Sequence, residues 1–378
     1  MSDMNRKLAL LCLGVLAGVP AVQAQLSISP LSTFGNNGWL YPNGVNGSTY
    51  SYLGTGGLER GLAFGNDQLY LVSRNGGSNV RILDPGTGSD LGSLSTAGIT
   101  GGTFAISTIG VASDGAIYGA NLANPLNGTT PFKVYRWADA GAVPTVAFSS
   151  STLTTGRLGD TLDVVGSGSS TRIVAGESNN SGTGARNGYA LLTTSDGSAF
   201  SGSLVNFTSV SLGAAGGTAA GDFRLGITFA GPNAVLGTQG STGQILRDTT
   251  TAGIYLGAGV LTTTAERPMD YTVINGTPML ATVSTGDSRV RIYDATDATN
   301  LRLLATTTTT STQANVGGTG AVAWGTVTPN VDGSASATLY AMNSNNGIQA
   351  YVVVIPEPGT ITLALLGFGS FLMFRRRS

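Results

Sequence analysis

The sequence predicts an all-β chain folded as a single β-propeller, and three observations predict it. Short β-type runs recur in one internal order: an apolar strand, a tight turn, a second apolar strand, a polar Asn/Gly loop, and a third strand ending in Asp or Thr. Asn, Asp or Gly stands at the turns between paired runs, where a positive φ is required. No stretch between the two ends carries a sustained 3.6-residue apolar period.

Six units carry the repeat. They read RGLAFGNDQLYLVSRNGGSNVRILDPGTG (60–88), IGVASDGAIYGANLANPLNGTTPFKVYRWADAG (109–141), LDVVGSGSSTRIVAGESNNSGTGARNGYALLTTSDG (162–197), LGITFAGPNAVLGTQGSTGQILRDTTTAG (225–253), MDYTVINGTPMLATVSTGDSRVRIYDATDAT (269–299) and AVAWGTVTPNVDGSASATLYAMNSNNGIQAYVVV (321–354). Their starts near Leu62, Ile109, Leu162, Leu225, Asp270 and Val322 lie 47, 53, 63, 45 and 52 residues apart. Repeats of about fifty residues with three or four strands each are the pattern of propeller blades. Six blades is the expectation, and a seventh requires residues 26–58 to form one more. Two β-sandwich domains are the competing all-β arrangement, and the even spacing argues against them.

Each unit supplies its own turn chemistry. Asn66-Asp67, Asp114-Gly115, Asn275-Gly276 and Asp332-Gly333 separate runs rich in β-branched and aromatic residues, such as 69–72, 80–83 and 290–293. The last unit provides three strands and then runs out at residue 354, which would leave an unpaired edge. The stretch LSISPLSTFGNNGWLYPNG (26–44) precedes the first full unit and is placed to complete the last one, closing the ring.

The two ends are of another kind. MSDMNRKLALLCLGVLAGVPAVQAQ has Arg6 and Lys7, an apolar core from Leu8 to Val19, and small residues up to Ala24. That is the three-part pattern of a secretory signal peptide cleaved after Ala24. The expected organisation is therefore 1–24 signal peptide, 25–354 propeller, and 355–378 a terminal segment. In that last segment Pro356, Glu357 and Pro358 precede an apolar run, 360–374, and then Arg375, Arg376 and Arg377. Fifteen residues are short for a stable span, which needs about 20. Three arginines after an apolar run have no place in a packed core and would stay on the cytoplasmic side. A short transmembrane helix over 360–374 is the expectation.

Composition excludes several chemistries. Cys12 is the only cysteine and lies in the signal segment, and the chain has no histidine. Disulfides, thiol nucleophiles, Ser-His-Asp and Cys-His triads and His-based zinc sites are all excluded in the mature chain. Between the two terminal segments stand 14 Lys or Arg and 18 Asp or Glu, with Lys133 the only lysine. A net charge near −4 gives no electrostatic argument for nucleic acid. Oxygen donors for Ca²⁺ exist in the Asp, Glu and Asn loops, but there is no D-x-D-x-D-G loop. Neither a cofactor nor a metal site is assigned. The Gly-rich runs GSGSS and GGTGAVAWG lack the lysine of a phosphate loop.

The order Pro-Glu-Pro, Gly359, apolar helix and Arg cluster resembles the PEP-CTERM sorting signal of Gram-negative bacteria. The resemblance covers about the last 23 residues. It implies recognition by an exosortase, removal of the apolar tail after transient anchoring in the inner membrane, and a host that makes extracellular polysaccharide. Prolines suit such a handle because they hold it extended beside the membrane. The body resembles an uncharacterised β-propeller-like domain of unknown function that accompanies such tails. The matching stretches are RGLAF, GGTFAISTIGVASDGAIYGANL, TPFKVYRWADAGAVPTVAFS and RLGDTLDVVGSGSSTRIVAG.

The candidate ligand residues recur at the unit starts. Glu59-Arg60 precedes the first inner strand, Arg157 with Asp160 and Asp163 the third, Asp222 and Arg224 the fourth, and Glu266-Arg267 the fifth. Loops after the second strands bring Arg74, Asn121, Glu177, Gln239 and Asp287 to the same propeller face. Planar arginines, carboxylates and amides bond paired hydroxyls well, so this face reads as a pocket for a sugar or another hydroxyl-rich ligand. The competing reading is that acid–arginine pairs lock neighbouring blades together. Trp39, Trp137 and Trp324 are either sugar platforms or seam packing. A non-enzymatic surface or matrix protein that binds exopolysaccharide or an envelope component is the favoured function, and no catalytic residue is assigned. A carbohydrate-active or lactone-hydrolysing enzyme using Asp160, Asp163 and Glu177 or Ca²⁺ is the alternative.

Overall fold

The computed structural model describes residues 25–154, 156–178, 187–207, 223–231, 234–238, 243–247, 254–259, 261–263, 265–308, 310–311 and 313–357. Among these residues the strands form six antiparallel sheets. The innermost strands are Glu59–Gly65, Phe104–Val111, Arg157–Val165, Ile227–Phe229, Glu266–Ile274 and Gly320–Pro329. Each packs against the inner strand of the sheet before and after it, and the sixth packs against the first, so the inner strands close a ring around a channel. The molecule is an all-β propeller.

Local sequence explains the hairpins. Asn66 and Asp67 both have positive φ, 53° and 52°, as do Asn275 and Gly276 at 50° and 73°. Two successive left-handed residues make the turn whose twist matches paired strands. These turns join Glu59–Gly65 to Gln68–Ser73 and Glu266–Ile274 to Thr277–Ser284.

Packing explains why the middle strands look uniformly apolar. In Gln68–Ser73, Leu69 and Leu71 point into the seam with the sixth sheet, where Tyr340, Met342 and Ile348 lie. Tyr70 and Val72 point the other way, onto Ile106, Ile117 and Trp137 of the second sheet. Side chains alternate between two faces, and here both faces are buried. Each of the six seams carries a core cluster of this kind.

Ring closure joins the two ends of the folded body. Ser27–Pro30 pairs antiparallel with Gly347–Ile355, from Ser27 opposite Val354 to Pro30 opposite Tyr351. Trp39–Leu40 adds two further pairs on that same strand, at Gln349 and Ile348. Residues 26–58 thus make no sheet of their own, because their strands complete the sixth sheet. Pro356 follows Gly347–Ile355 directly and ends the ladder, since proline has no N–H to donate.

The expected helix over 360–374 lies outside the described residues, as do Ala24, Pro358 and Arg375 to Arg377. Among the described residues no helix is long and apolar enough to cross a membrane.

Candidate functional site

Two cavities lie end to end in the channel, of about 40 and 190 Å³. They share six lining residues, one from the beginning of each sheet: Leu62, Ile109, Leu162, Ile227, Met269 and Val322. These six side chains form an apolar waist. On one side the cavity reaches Arg60 and Asp160, towards the starts of the inner strands. On the other it reaches Asp163, Asp270, Tyr271 and Trp324, towards their ends.

Irregular pairing shapes the first mouth. The inner strands of the first, third and fifth sheets lose register between Glu59 and Gly61, between Leu158 and Leu162, and between Glu266 and Met269. Arg60, Asp160 and Arg267 fall within these bulges, which re-aim side chains and interrupt the ladder. The glutamate before each arginine turns inward instead. Glu59 accepts the Gly54 N–H at 2.7 Å, and Glu266 accepts the Thr263 N–H at 2.9 Å and the Tyr293 hydroxyl at 2.7 Å. Glu266 also faces Arg291 at 3.3 Å. In the third sheet the bulge depends on Gly159, whose φ is +96° and whose missing side chain would stand 1.9 Å from the Asn121 carbonyl oxygen.

Arginines crowd the resulting rim. Arg157 holds Asp160 through Nε–Oδ2 at 2.5 Å and Nη2–Oδ1 at 2.7 Å. Arg60 approaches Asp160 Oδ1 at 3.8 Å and Arg224 approaches Oδ2 at 3.7 Å. The Asp160 side chain is fully buried, while that of Arg224 is 26% exposed. Arg60 and Arg74 both lie over the Phe104 ring, at 4.8 and 3.5 Å from its centre. Burial pulls the Arg60 guanidinium down to about 10; Asp160 opposes that, and Arg74, Arg157 and Arg224 add to it by like-charge repulsion. Arg267 is lowered by burial and then by Arg224. Among the described residues, Arg60, Arg157 and Arg224 thus converge on Asp160.

The far cavity holds the second acidic group. Asp163 accepts the Phe229 N–H at 2.7 Å and the Thr228 hydroxyl at 3.1 Å, both from the fourth sheet. Asp270 does the same one step further round, accepting the Trp324 N–H of the sixth sheet at 2.7 Å. Between them Thr228 accepts the Tyr271 N–H at 3.2 Å. These side chains satisfy backbone N–H groups at the channel edge and stitch four successive sheets together. Burial raises both carboxyls, and Asp163 lifts Asp270 further, to about 8.

The structure therefore divides the expected residues. Glu59, Arg60, Arg74, Arg157, Asp160, Arg224 and Arg267 belong to the first mouth, although the Glu59 carboxylate is turned into its sheet. Asp163 does not join them, because it lies across the apolar waist. Asn121 is fully buried, and its amide is committed to the Pro131 carbonyl and the Lys133 N–H. Glu177 is fully buried and accepts the Thr154 hydroxyl. Asp160, Asp163 and Glu177 consequently do not converge as a catalytic set. Asp287 pairs with Arg289, and Gln239 and Asp222 lie outside the described residues. Trp39, Trp137 and Trp324 are 5%, 0% and 8% exposed, so none is an open sugar platform. Among the described residues no three acidic side chains gather to hold a metal ion.

Sequence reasoning missed Phe104 and Asp270. Nothing marks Phe104. Asp270 carried a signal, because Met269-Asp270 occupies the same place in its unit as Leu162-Asp163 does in the third.

Comparison with known proteins separates the tail from the body. Residues 354–378 match the description "PEP-CTERM protein-sorting motif". No curated protein matches the chain. A DUF4623 family protein from Bacteroides eggerthii superposes with a TM-score of 0.61 at 13% identity, over 89% of this chain and 77% of that one. That similarity shows the propeller fold alone. A gluconolactonase from Xanthomonas campestris aligns over 89% of this chain and 97% of that one, with a TM-score of 0.48 and 12% identity. The sorting motif implies that the protein is exported and processed by an exosortase.

Proposed function

We propose that this protein is a non-enzymatic binder of polysaccharide or another hydroxyl-rich envelope component, delivered to the surface or matrix of a Gram-negative cell. The observation that carries the reading is the gathering of Arg60, Arg157 and Arg224 around Asp160 at one channel mouth, with Arg267 beside them. Guanidinium groups offer five fixed donors each, which suit the closely spaced oxygens of a sugar. Among the described residues the acids near the rim are each bonded to a neighbouring group. Asp160 is buried and gripped by Arg157, Glu59 accepts the Gly54 N–H, and Glu177 accepts the Thr154 hydroxyl.

The test uses the full chain exported by its own host and purified from the envelope fraction. It is passed over the host's extracellular polysaccharide, and release of reducing ends is followed in parallel. Retention without turnover is expected. Turnover abolished by Asp160→Asn would establish an enzyme instead, and no retention would remove the binding function.

A further inference from the structure

We infer that the precursor still bearing its sorting segment seats on the lipid surface by the end of the channel opposite the Asp160 mouth, with the turns of the fifth and sixth sheets in the headgroups. This rests on the reading of 360–374 as a membrane-inserted segment. The first argument is reach. Ala335 pairs with Pro329 on one side and Ile355 on the other, so the last strand ends where the sixth inner strand ends. Ser27 lies opposite Val354, so the chain also enters the body at this end. Glu357 lies against the neighbouring turn, where a β-carbon on Gly333 would stand 2.9 Å from its carboxyl carbon. Only Pro358 and Gly359 separate Glu357 from the apolar run that begins at residue 360. Three Cα steps span at most about 11 Å, and the headgroup layer on each side of a bilayer is about 5–8 Å deep. A body held that closely has its nearest turns in that layer.

What this end exposes is the second argument. Val273, Val327 and Val331 are all exposed, on the hairpins of the fifth and sixth sheets. Those hairpins touch, because Asn275 Nδ2 donates to the Gly333 carbonyl at 3.3 Å, so the valines belong to the two turns nearest the exit of the sorting segment. Leu91, Val143, Val146 and Leu303 are exposed at the same end of the first, second and fifth sheets, where Asp90 faces Leu83, Thr145 faces Arg136 and Arg302 faces Asp294. Seven of the eight large apolar side chains exposed among the described residues thus stand at this end. The eighth, Val316, stands at the other, two residues from Gly318, whose β-carbon would meet Arg267. Single exposed apolar residues are ordinary on any surface, but their segregation to one end marks a contact that removes them from water.

Charge is the third argument, and it sets the kind of lipid. Asp67 and Asp332 are exposed in the turns at this end, so anionic headgroups repel it. Seating is therefore apolar in origin and favours zwitterionic lipid. It leaves the mouth where Arg60, Arg157 and Arg224 converge on Asp160 at the end turned away from the bilayer, where a ligand reaches it while the chain is still anchored.

The test uses the full chain, sorting segment included, in phosphatidylcholine vesicles that carry a headgroup nitroxide. Cys12 is the only cysteine, so in a Cys12→Ser background Val331→Cys, Val273→Cys and Val316→Cys each take one fluorescent label. Flotation with the vesicles reports insertion, and quenching of the label reports seating. Loss of emission at positions 331 and 273 but not at 316 is expected, with a smaller loss in phosphatidylglycerol vesicles. Val327→Asp combined with Val331→Asp should reduce quenching at position 273 without changing flotation or the denaturation midpoint, because both side chains face solvent. Flotation with equal quenching at 331 and 316, or with none at 331, overturns the seating and leaves the inserted tail standing. Unchanged quenching at 273 in the double variant overturns the role of the valines, as does stronger quenching in phosphatidylglycerol. A chain that stays in the lipid-free fraction overturns insertion and seating together.

Discussion

Arg157 and Asp160, three residues apart on one bulged strand, form a two-point pair that leaves the carboxylate with no exposed surface. Arg60 from the first sheet and Arg224 from the segment leading into the fourth close on the same carboxylate. One acid therefore sets the spacing of cations from two sheets and the segment that leads into a third. It serves at once as a lock between blades and as the floor of the candidate site.

Removing that floor should be expensive. Asp160→Ala removes the carboxylate that Arg157 holds at two points, and breaking a buried pair from one side costs about 3 kcal/mol or more. Urea denaturation should show a clear drop in midpoint. A midpoint equal to the parent would mean that the pair contributes nothing to the fold.

Gly159 is expected to be as sensitive as Asp160 itself. Its φ of +96° disfavours any side chain, and a β-carbon would meet the Asn121 carbonyl at 1.9 Å. Gly159→Ala should destabilise by about 2 kcal/mol. It should also shift Asp160 away from Arg157, which retention on the host's polysaccharide and denaturation would report together.

Acidity in the far cavity should make stability depend on pH. Burial first, and then Asp163, raise the Asp270 carboxyl to about 8, and burial raises Asp163 too. An aspartate in the unfolded chain titrates near pH 4. Between about pH 4 and 8 the folded chain keeps a proton that the unfolded chain has released, so stability falls as pH rises through that window. The parent should unfold at lower urea at about pH 8.5 than at about pH 5. Asp270→Asn should flatten this slope and gain on the parent at the higher pH; parallel slopes for the two proteins would refute the assignment.

The closing strand can be tested by truncation. Ser27–Pro30 covers the edge of Gly347–Ile355, and Leu26 is buried in the seam between the fifth and sixth sheets. A chain beginning at residue 31 exposes that edge, which invites pairing between molecules. Light scattering should show assembly that the longer chain does not. Leu26→Ala alone should cost about 2 kcal/mol.

Tail processing has its own readout. Replacing Pro356, Glu357 and Pro358 together with alanine should leave the apolar tail attached in the host. Intact mass would then exceed that of the parent by most of the segment after the triplet, and equal masses would disprove processing at that site.

Much of the fold was legible because its signals are local. Asn66-Asp67 and Asn275-Gly276 announced their hairpins through the few residues that accept positive φ. The unbroken apolar character of 69–72 announced a strand buried on both faces. The stretch 26–44 could be assigned to the last sheet because an unpaired edge there had to be covered. The rim arginines were legible for a similar reason, since Glu-Arg recurs at the same point of two units.

What could not be read was which side of the channel a residue reaches. Leu162 and Asp163 are neighbours in the chain, yet Leu162 forms part of the waist and Asp163 lies beyond it. Asn121 and Glu177 sat where loops were expected to reach the rim, and local bonding turned both inward.

By itself, then, the sequence determined an exported chain with a sorting tail, no histidine, a single cysteine at Cys12, and a repeated all-β body, because composition, turn residues and hydrophobic runs act over a few residues. Tertiary structure alone decided that Asp160 stands among arginines from separate parts of the ring while Asp163 and Asp270 share a separate cavity. Those neighbours are dozens of residues apart in the chain, and only closure of the ring and the bulges in its inner strands set their distances.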